Sequence, residues 1–301
     1  MLLVGATGLL GRPVAEALDL RGHEVHRASR SIESSPTSFR LDLFDADGTE
    51  MILDALEPQV VVQMTGGVAS DPVRLAQINV VTTVNLIRAV ARSKAPAAIF
   101  VSGSAAEYGD PGQTLASEDS PLRPLSPYGW VKLVEIATAR ELARLHGLDL
   151  TVVRPFNPVL PGLPETTALG NFRRQVLDGN GPCRKVVCGR VDIVRDFVTG
   201  SFIGEAIAEL VDNPPGGIVN VCSGVGIRLE DVMRASGQIL EVEIELDEDP
   251  ELARLPAPSV IIGDPARLFS LIRARPESTP LRLAAELFGR QADDGGWEPG
   301  T

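Results

Sequence analysis

The chain opens with a short apolar run that passes through a glycine-rich turn into a helical pattern. In VGATGLLGRP, residues 4–13, the turn holds Gly5, Gly8 and Gly11. Glycine adopts backbone conformations that side chains forbid, and it lets backbone N–H groups approach a pyrophosphate at the start of a helix. A strand, this turn and a helix in that order predict a dinucleotide site. The alternatives are a purely structural turn and a phosphate loop, which would need a Gly-Lys-Ser/Thr ending that is absent here.

Apolar runs typical of strands alternate with helical patterns along the chain. The strand-like runs lie at 1–4, 23–28, 38–43, 60–64, 98–103, 149–155 and 217–224. The helical patterns cover 9–20, 72–92 and 128–145. This alternation predicts parallel strands joined by crossover helices, because buried parallel strands read as unbroken apolar runs. The predicted fold class is α/β, a Rossmann-type doubly wound parallel sheet with a smaller C-terminal substrate lobe.

The alternation stops in two segments, which are the candidates for the smaller lobe. One is rich in Pro and Gly, and the other contains the acidic stretch EVEIELDEDPE. We expect both segments over the ends of the strands, where open α/β sheets bind ligands. The predicted division is 1–155 with 187–225 for the NAD(P)-binding domain, 156–186 with 226–290 for the substrate lobe, and 291–301 for a disordered tail.

Charge and composition argue against several classes of partner. The net charge of −12 argues against a nucleic-acid partner, which normally requires a basic surface. The three cysteines, Cys183, Cys188 and Cys222, form no CxxC pair and are predicted to be reduced structural thiols without a metal. No apolar run approaches the ~20 residues of a membrane helix, and the start lacks a basic leader. A cytoplasmic protein without a membrane partner is the expectation.

The end of the second predicted strand bears on which dinucleotide binds. An NAD site usually places an acidic residue there to bind the ribose 2′-hydroxyl. This chain instead has Ser29, Arg30 and Ser31 at that place. A guanidinium and hydroxyls suit a 2′-phosphate, which a carboxylate would repel. We therefore predict NADP (as NADPH) in preference to NAD, with an ordinary solvated arginine as the alternative.

Tyr128 and Lys132 form a pair at the start of a predicted helix. The chain holds only two tyrosines and three lysines, so chance would seldom give this spacing. Residues four apart share one face of a helix, and Ser126 and Pro127 suit its N-cap and first turn. A free phenol titrates too high for proton transfer at pH 7, but a nearby ammonium stabilises the phenolate. The alternative is an amphipathic helix with a buried tyrosine and a surface lysine.

These motifs together resemble a known family, the extended short-chain dehydrogenase/reductases, also described as the NAD-dependent epimerase/dehydratase family. The resemblance covers about 1–290 and rests on the order of its motifs. They are GATGLLG, LDL, VVVQMTGG, INVVTTVNLIRA, VSGSAAEYGD, SPYGWVK, VVRPFNPV and VRDF. The family acts on nucleotide sugars, which makes a nucleotide-diphosphate sugar the implied substrate.

The resemblance also implies site residues. Ser104, Tyr128 and Lys132 would be catalytic, and Asp42 and Leu43 would hold the adenine. The other implied cofactor residues are Thr7, Leu9, Leu10, Thr65, Gly66, Gly67, Asn79 and Pro155, in addition to Tyr128 and Lys132. The implied substrate residues are Ser104, Ala105, Ala106, Asn157 and Arg195, of which Arg195 would meet the diphosphate.

Departures from the family pattern narrow the predicted reaction. The family's 4,6-dehydratases carry Asp-Glu after the catalytic Ser or Thr, and this chain has Ala105 and Ala106, so proton carriers for dehydration are missing. The 4-epimerases carry an acid after the second strand, which is absent here. The remaining resemblance is to 4-ketoreductases of the GDP-4-keto-6-deoxy-D-mannose reductase type. A 4-epimerase with bound NAD and a non-catalytic NADP-binding sensor or scaffold stay open as alternatives.

Three further expectations follow from this hypothesis. Tyr128 would donate a proton to the reduced carbonyl, and Ser104 would stabilise the same oxygen. Tyr108, which follows the fifth strand, is expected in the wall of the pocket. The resemblance also implies a homodimer that pairs the helices across 72–92 and 128–145 with their symmetry mates.

Overall fold

A computed structural model describes residues 1–94, 97–111, 115–253 and 258–290. Its centre is a sheet of seven strands in the order β3-β2-β1-β4-β5-β6-β11, with every neighbouring pair parallel. These strands are β1 (Leu2–Val4), β2 (His26–Ser29), β3 (Ser38–Arg40), β4 (Val60–Gln63), β5 (Ala98–Ser102), β6 (Leu150–Pro155) and β11 (Gly217–Val221). The predicted Rossmann-type sheet is confirmed. The predicted tail at 291–301 lies outside the described residues.

Eleven helices are formed by the described residues. They are α1 (Gly11–Leu20), α2 (Ala46–Leu56), α3 (Pro72–Ala76), α4 (Thr82–Arg92), α5 (Pro127–His146), α6 (Ala168–Asp178), α7 (Gly200–Asp212), α8 (Leu229–Leu240), α9 (Pro250–Ala253), α10 (Ala266–Leu271) and α11 (Pro280–Leu287). Helix α2 was not predicted from the sequence. The helix predicted across 72–92 is present as α3 and α4, with a π-helical turn at Gln77–Val81 between them.

The central sheet is buried on both faces because successive side chains of a strand point to opposite sides. In β1, Leu3 packs into the core formed with α1 and α7, while Leu2 and Val4 pack into the core beneath α2, α4 and α5. The same division holds along β4, β5 and β6. This two-sided burial explains why the strands read as continuous apolar runs rather than alternating ones.

The remaining strands form three small sheets. They are β7 (Pro158–Val159), β8 (Cys183–Cys188), β9 (Val194–Asp196), β10 (Val198–Thr199), β12 (Gly226–Arg228), β13 (Glu243–Glu248) and β14 (Val260–Ile261). β7 pairs with β10, β8 with β13, and β9 with both β12 and β14. A separate apolar core joins α6, α8 and α11 to β7, β8, β12 and β13.

Two structural details bear on the division of the chain into domains. β9 lies within the range 187–225 but pairs outside the central sheet, whereas β11 in the same range belongs to it. The division itself stays a prediction. Across the described ranges, no helix has the length and apolar character needed to span a membrane.

Candidate active site

The glycine turn after β1 is shaped by close backbone contacts. Gly5 has φ of +87°, and an added Cβ there would lie 2.6 Å from the carbonyl oxygen of Met64. An added Cβ at Gly11 would collide with the carbonyl oxygen of Gly5, so α1 can begin against the turn only because residue 11 has no side chain. Gly8 N–H donates to the Gly5 carbonyl at 2.8 Å and closes the turn. Larger residues at Gly5 or Gly11 would open this turn.

A cavity of about 330 Å³ lies beside the turn, at the ends of β1 to β4. It gathers most residues predicted for the adenosine half of the cofactor. These are Gly5, Thr7, Gly8, Ser29, Arg30, Asp42, Leu43, Thr65 and Gly66. Gly11 is buried behind the turn and lines neither cavity described here.

The loop after β4 is held in place by Asn79. Its side-chain oxygen accepts from Gly67 N–H at 3.2 Å, and its amide donates to the carbonyls of Gly67 and Leu75 at 3.0 and 2.8 Å. Gly66 has φ of +123°, and an added Cβ there would lie 2.6 Å from the Asn79 oxygen. Asn79 is 1% exposed. The predicted cofactor residue Asn79 therefore also orders the loop that forms the cavity wall.

A second and larger cavity of about 750 Å³ adjoins the first. Gly8, Met64, Thr65, Gly66 and Val68 line both. The predicted residues in its wall are Gly8, Leu9, Leu10, Thr65, Gly66, Gly67, Asn79, Ser104, Ala105, Ala106, Tyr128, Lys132, Pro155, Asn157 and Arg195. One continuous groove therefore runs from the predicted adenine end to the predicted catalytic residues.

The groove fits a nicotinamide dinucleotide. The glycine turn at its centre leaves a cradle that side chains at Gly5 or Gly8 would narrow. The Ser29 hydroxyl is buried at the wall of the first cavity with no hydrogen-bond partner among the described residues, as a ribose- or phosphate-binding group would be.

Ser104 is positioned at the end of β5 by a short helical turn. Its hydroxyl oxygen accepts from Ala106 N–H at 3.2 Å, and its own N–H donates to the Glu107 carboxylate at 2.8 Å, which completes a capping box. The Ser104 hydroxyl hydrogen has no acceptor among the described residues and can donate to a ligand in the cavity.

A buried polar network lies behind Ser104. Glu107 is 0% exposed, and Arg154 on β6 donates to one of its oxygens from Nε at 3.0 Å and from Nη2 at 2.7 Å. Arg154 Nη1 also donates to the Tyr108 hydroxyl at 3.1 Å, which in turn donates to the Asn220 side-chain oxygen at 2.7 Å. Burial raises the pKa of the Glu107 carboxyl, although Arg154 opposes the shift.

The expectation that Tyr108 lines the pocket is wrong. Its side chain is 0% exposed and lies in neither cavity. Burial raises its pKa to about 12, against the opposing effect of Arg154. The sequence placed Tyr108 correctly after β5, but its orientation depends on Arg154 and Asn220, which are distant in the chain. Of the two tyrosines, Tyr128 lines the second cavity.

Tyr128 and Lys132 lie on the first turns of α5, as predicted. The Ser126 side chain caps this helix by accepting from Gly129 N–H at 3.1 Å, and Pro127 is its first residue. Tyr128 is half-buried and Lys132 is only 2% exposed, so the alternative of a surface lysine is wrong. Lys132 Nζ donates to the Ser102 carbonyl at 2.6 Å and to Glu135 at 2.7 Å. Burial acts to lower the pKa of Lys132, but Glu135 and Tyr128 together raise it by more.

Arg195 and Asn157 line the same cavity. Arg195 is 8% exposed, its Nη1 donates to the Val194 carbonyl at 2.8 Å, and it has no ion pair with an acid of the described chain. Burial, with a smaller effect from Arg190, lowers the pKa of Arg195. Asn157 has φ of +25° and donates to the Asp196 carbonyl at 2.7 Å. A buried guanidinium that lacks an acidic partner offers a binding position for an anion.

Several wall residues were not predicted from the sequence. Phe44 and Arg74 line the first cavity, with the Arg74 guanidinium 5.7 Å from the centre of the Phe44 ring. Phe44 directly follows Asp42 and Leu43, and that adjacency was a usable signal. The second cavity also has an apolar wall that includes Leu163, Leu169, Ile193, Phe197 and Leu229. No local pattern marks these residues, because their position depends on how segments distant in the chain pack together.

The chain is similar to known proteins in both sequence and fold. Residues 1–222 match the model of the NAD dependent epimerase/dehydratase family. The chain is 27% identical over 255 residues to GDP-6-deoxy-D-mannose reductase of Pseudomonas aeruginosa, covering 81% of this chain and 83% of that protein. It is 29% identical over 270 residues to dTDP-6-deoxy-L-talose 4-dehydrogenase (NAD(P)(+)) of Kitasatospora kifunensis, covering 85% and 82%. The fold matches the UDP-glucose 4-epimerase of Thermus thermophilus in complex with NAD at TM-score 0.81 and 23% identity, over 96% and 98% of the two chains.

Replacing Arg154 with Met should destabilise the protein strongly. The change leaves Glu107 buried without its cation, and breaking such a pair costs about 3–5 kcal/mol of the free energy of unfolding. Urea denaturation measures the loss. Arg144→Met is the matched control, because Arg144 pairs with Glu141 at the surface and its removal should cause no measurable loss. Equal losses in the two variants would contradict the role given to the buried network.

Proposed function

Because the chain belongs to the NAD dependent epimerase/dehydratase family and is an NAD(P)-dependent oxidoreductase, we propose that it uses NADPH to reduce the 4-keto group of a nucleotide-linked 4-keto-6-deoxyhexose. The observation that carries the proposal is a single cavity. Ser104, Tyr128 and Lys132 lie in its wall together with Arg195, which forms no ion pair with an acid in the described part of the chain. Such a cavity offers proton transfer to a sugar carbonyl and a cation for the nucleotide diphosphate.

Each catalytic side chain has one task in this mechanism. Bound NADPH supplies the hydride that reaches the keto carbon. Tyr128 donates its hydroxyl proton to the developing alkoxide, and Ser104 donates a hydrogen bond to the same oxygen. The Lys132 ammonium stabilises the phenolate that Tyr128 becomes. Lys132 has three N–H groups and gives two of them to Ser102 and Glu135, so one remains for the cavity.

The residues around Ser104 favour reduction over dehydration. Elimination of water needs an acid and a base beside the sugar ring. Ala105 and Ala106 stand in the cavity wall at those positions and carry no titratable group. The next residue, Glu107, faces away from the cavity into the ion pair with Arg154. This wall therefore lacks a carboxyl group next to Ser104.

The part of the cavity lined by Arg195 and Asn157 fits a nucleotide diphosphate. Arg195 supplies a buried cation, and the amide of Asn157 lies near it on the segment after β6. The relatives act on GDP- and dTDP-linked sugars according to their names. We therefore assign the diphosphate to Arg195 and the sugar to the space between Asn157 and Tyr128.

A 4-epimerase is the second candidate. It would use the same Ser104, Tyr128 and Lys132 with NAD that stays bound, and the fold also matches a UDP-glucose 4-epimerase. The end of β2 carries Ser29 and Arg30 where an NAD site usually has an acid, and this favours the reductase. A non-catalytic sensor is not retained, because the family and the assembled catalytic residues indicate an oxidoreductase.

Changing Tyr128 to Phe should abolish turnover and leave NADPH binding nearly intact. The hydroxyl supplies a proton in the transition state, and general acid–base groups contribute about 10²–10⁴-fold to the rate. NADPH oxidation is measured with a panel of 4-keto-6-deoxy sugar nucleotides, and NADPH binding by its fluorescence. Near-normal turnover by the variant would refute the mechanism. Wild-type protein that consumes no NADPH but retains bound NAD would favour the epimerase.

Changing Arg30 to Ala should weaken NADPH binding much more than NADH binding. We propose that Arg30 binds the 2′-phosphate at the end of β2, where a charge-assisted hydrogen bond contributes about 1.5–3 kcal/mol. Isothermal titration calorimetry gives both dissociation constants. Arg40→Ala is the matched control, since Arg40 is exposed at the neighbouring strand and lines neither cavity. Equal affinities of the wild type for NADPH and NADH would overturn the preference for NADP.

We propose a homodimer that pairs α4 and α5 with their symmetry mates. Trp130, Val134 and Leu145 on α5 are 55%, 50% and 62% exposed, and Val81 just before α4 is 40% exposed. These apolar side chains share the outer side of the two helices and would be covered in the dimer.

Changing Val134 to Glu should therefore convert a dimer into a monomer. A charge at the centre of an apolar interface would be desolvated without a partner. Light scattering should give twice the mass of one chain for the wild type and one mass for the variant. Val187→Glu is the control, because Val187 is similarly exposed, at 43%, on β8. A monomeric wild type would count against the dimer.

A further inference from the structure

A buried carboxylate lies directly behind the catalytic lysine. Glu135 is on α5, one turn after Lys132, and is 1% exposed. Its Oε2 accepts from Lys132 Nζ at 2.7 Å. Lys132 also donates to the Ser102 carbonyl at 2.6 Å. These two acceptors fix the direction of the ammonium group.

The other carboxylate oxygen of Glu135 is linked by hydrogen bonds to the loop after β4. Thr83 on α4 donates its hydroxyl to Glu135 Oε1 at 2.8 Å. The Gln63 amide at the end of β4 donates to Thr83 at 2.8 Å and to the Thr65 hydroxyl at 2.7 Å. Thr65 lines both cavities. Glu135 therefore joins the lysine to the wall of the groove through fixed hydrogen bonds.

Stability alone does not account for this pair. Desolvation of two buried charges roughly cancels their attraction, so a buried ion pair adds little net stability compared with apolar residues. Its second effect is electrostatic. Glu135 compensates the Lys132 charge, which is the charge that stabilises a Tyr128 phenolate.

The other charged groups around Lys132 leave Glu135 as its main counter-charge. From the turn after β5, Glu107 acts on Lys132 more weakly than Glu135 does. Glu107 is itself compensated by Arg154 on β6, at 2.7 Å. From its own helix, Tyr128 is the other titratable group that acts on Lys132. The packed side chains of α4 and β4 in this network, Thr83 and Gln63, are uncharged.

We propose that Glu135 is a positioning residue that holds the Lys132 ammonium with one N–H directed to the cavity. Its negative charge also offsets the positive charge of Lys132 and so sets the pH range in which Tyr128 gives up its proton. The proposal rests on the role assigned to Tyr128 under the proposed function. Glu135 itself lines neither cavity and acts only through Lys132.

Spectroscopic titration of tyrosinate tests this proposal without any substrate. The chain has two tyrosines, and burial raises the pKa of Tyr108 to about 12, so the variant Tyr128→Phe is needed to identify the absorbance transition near 295 nm that belongs to Tyr128. Glu135→Gln keeps an oxygen acceptor for Lys132 and removes the negative charge. The transition should move to lower pH by roughly one unit, the effect of a charge about 10 Å away at an effective dielectric constant of about 20. Tyr128→Phe, which removes the transition, confirms its assignment.

Two further variants separate charge from disruption. Thr83→Val breaks the same hydrogen-bond chain but keeps the carboxylate, and it should leave the transition in place. Glu135→Asp keeps the negative charge but, with a shorter side chain, places it farther from Lys132. This variant should move the transition to lower pH by a smaller amount than Glu135→Gln does. If Glu135→Gln does not fold, the position of the transition in Glu135→Asp tests the proposal. An unchanged or higher transition in the Glu135 variants, or an equal movement in Thr83→Val, overturns the proposal.

The same variant tests the proposal in turnover. With a substrate that the wild type reduces, the pH profile of kcat/KM for Glu135→Gln should move to lower pH by the same amount. Failure to find any substrate would count against the proposed reaction only, because the tyrosinate titration decides the role of Glu135 separately.

Discussion

The parallel direction of all seven central strands is the constraint on which the site depends. Parallel strands place their carboxyl ends at one edge of the sheet, so residues that follow different strands meet there. Gly5 follows β1, Arg30 follows β2, Thr65 follows β4 and Ser104 follows β5. The two cavities open along this edge. The helix that carries Tyr128 and Lys132 begins at the same edge and completes the wall that holds the proposed catalytic residues.

Two buried ion pairs lie behind that wall, and each fixes a different group of the site. Glu107 with Arg154 fixes the backbone of Ser104, since the same carboxylate accepts the Ser104 N–H. Glu135 with Lys132 fixes the ammonium beside Tyr128. Neither pair is expected to raise stability much over apolar replacements, although breaking either would be costly. Both pairs lie next to residues that we propose to be catalytic, where they contribute geometry and electrostatics to the site.

The features that could be predicted from the sequence are those set by local patterns. The glycine turn, the strand runs and the Tyr128–Lys132 spacing each depend on neighbours within a few residues, and the structure has all three. Tyr108 was misplaced because its hydroxyl partners, Arg154 and Asn220, lie 46 and 112 residues away in the chain. Glu135 was not predicted for a similar reason. Its spacing from Lys132 is visible in the sequence, but its burial against Thr83 is not.

The fate of the cofactor hydride tests the central claim most directly. NADPH that carries deuterium at the transferred C4 position would be incubated with a 4-keto-6-deoxy sugar nucleotide, and the product examined by NMR and mass spectrometry. The proposed function predicts one deuterium at sugar C4 for each NADP formed. Recovery of the 4-keto sugar nucleotide unchanged, with no deuterium at C4 and no net oxidation of NADPH, would contradict it.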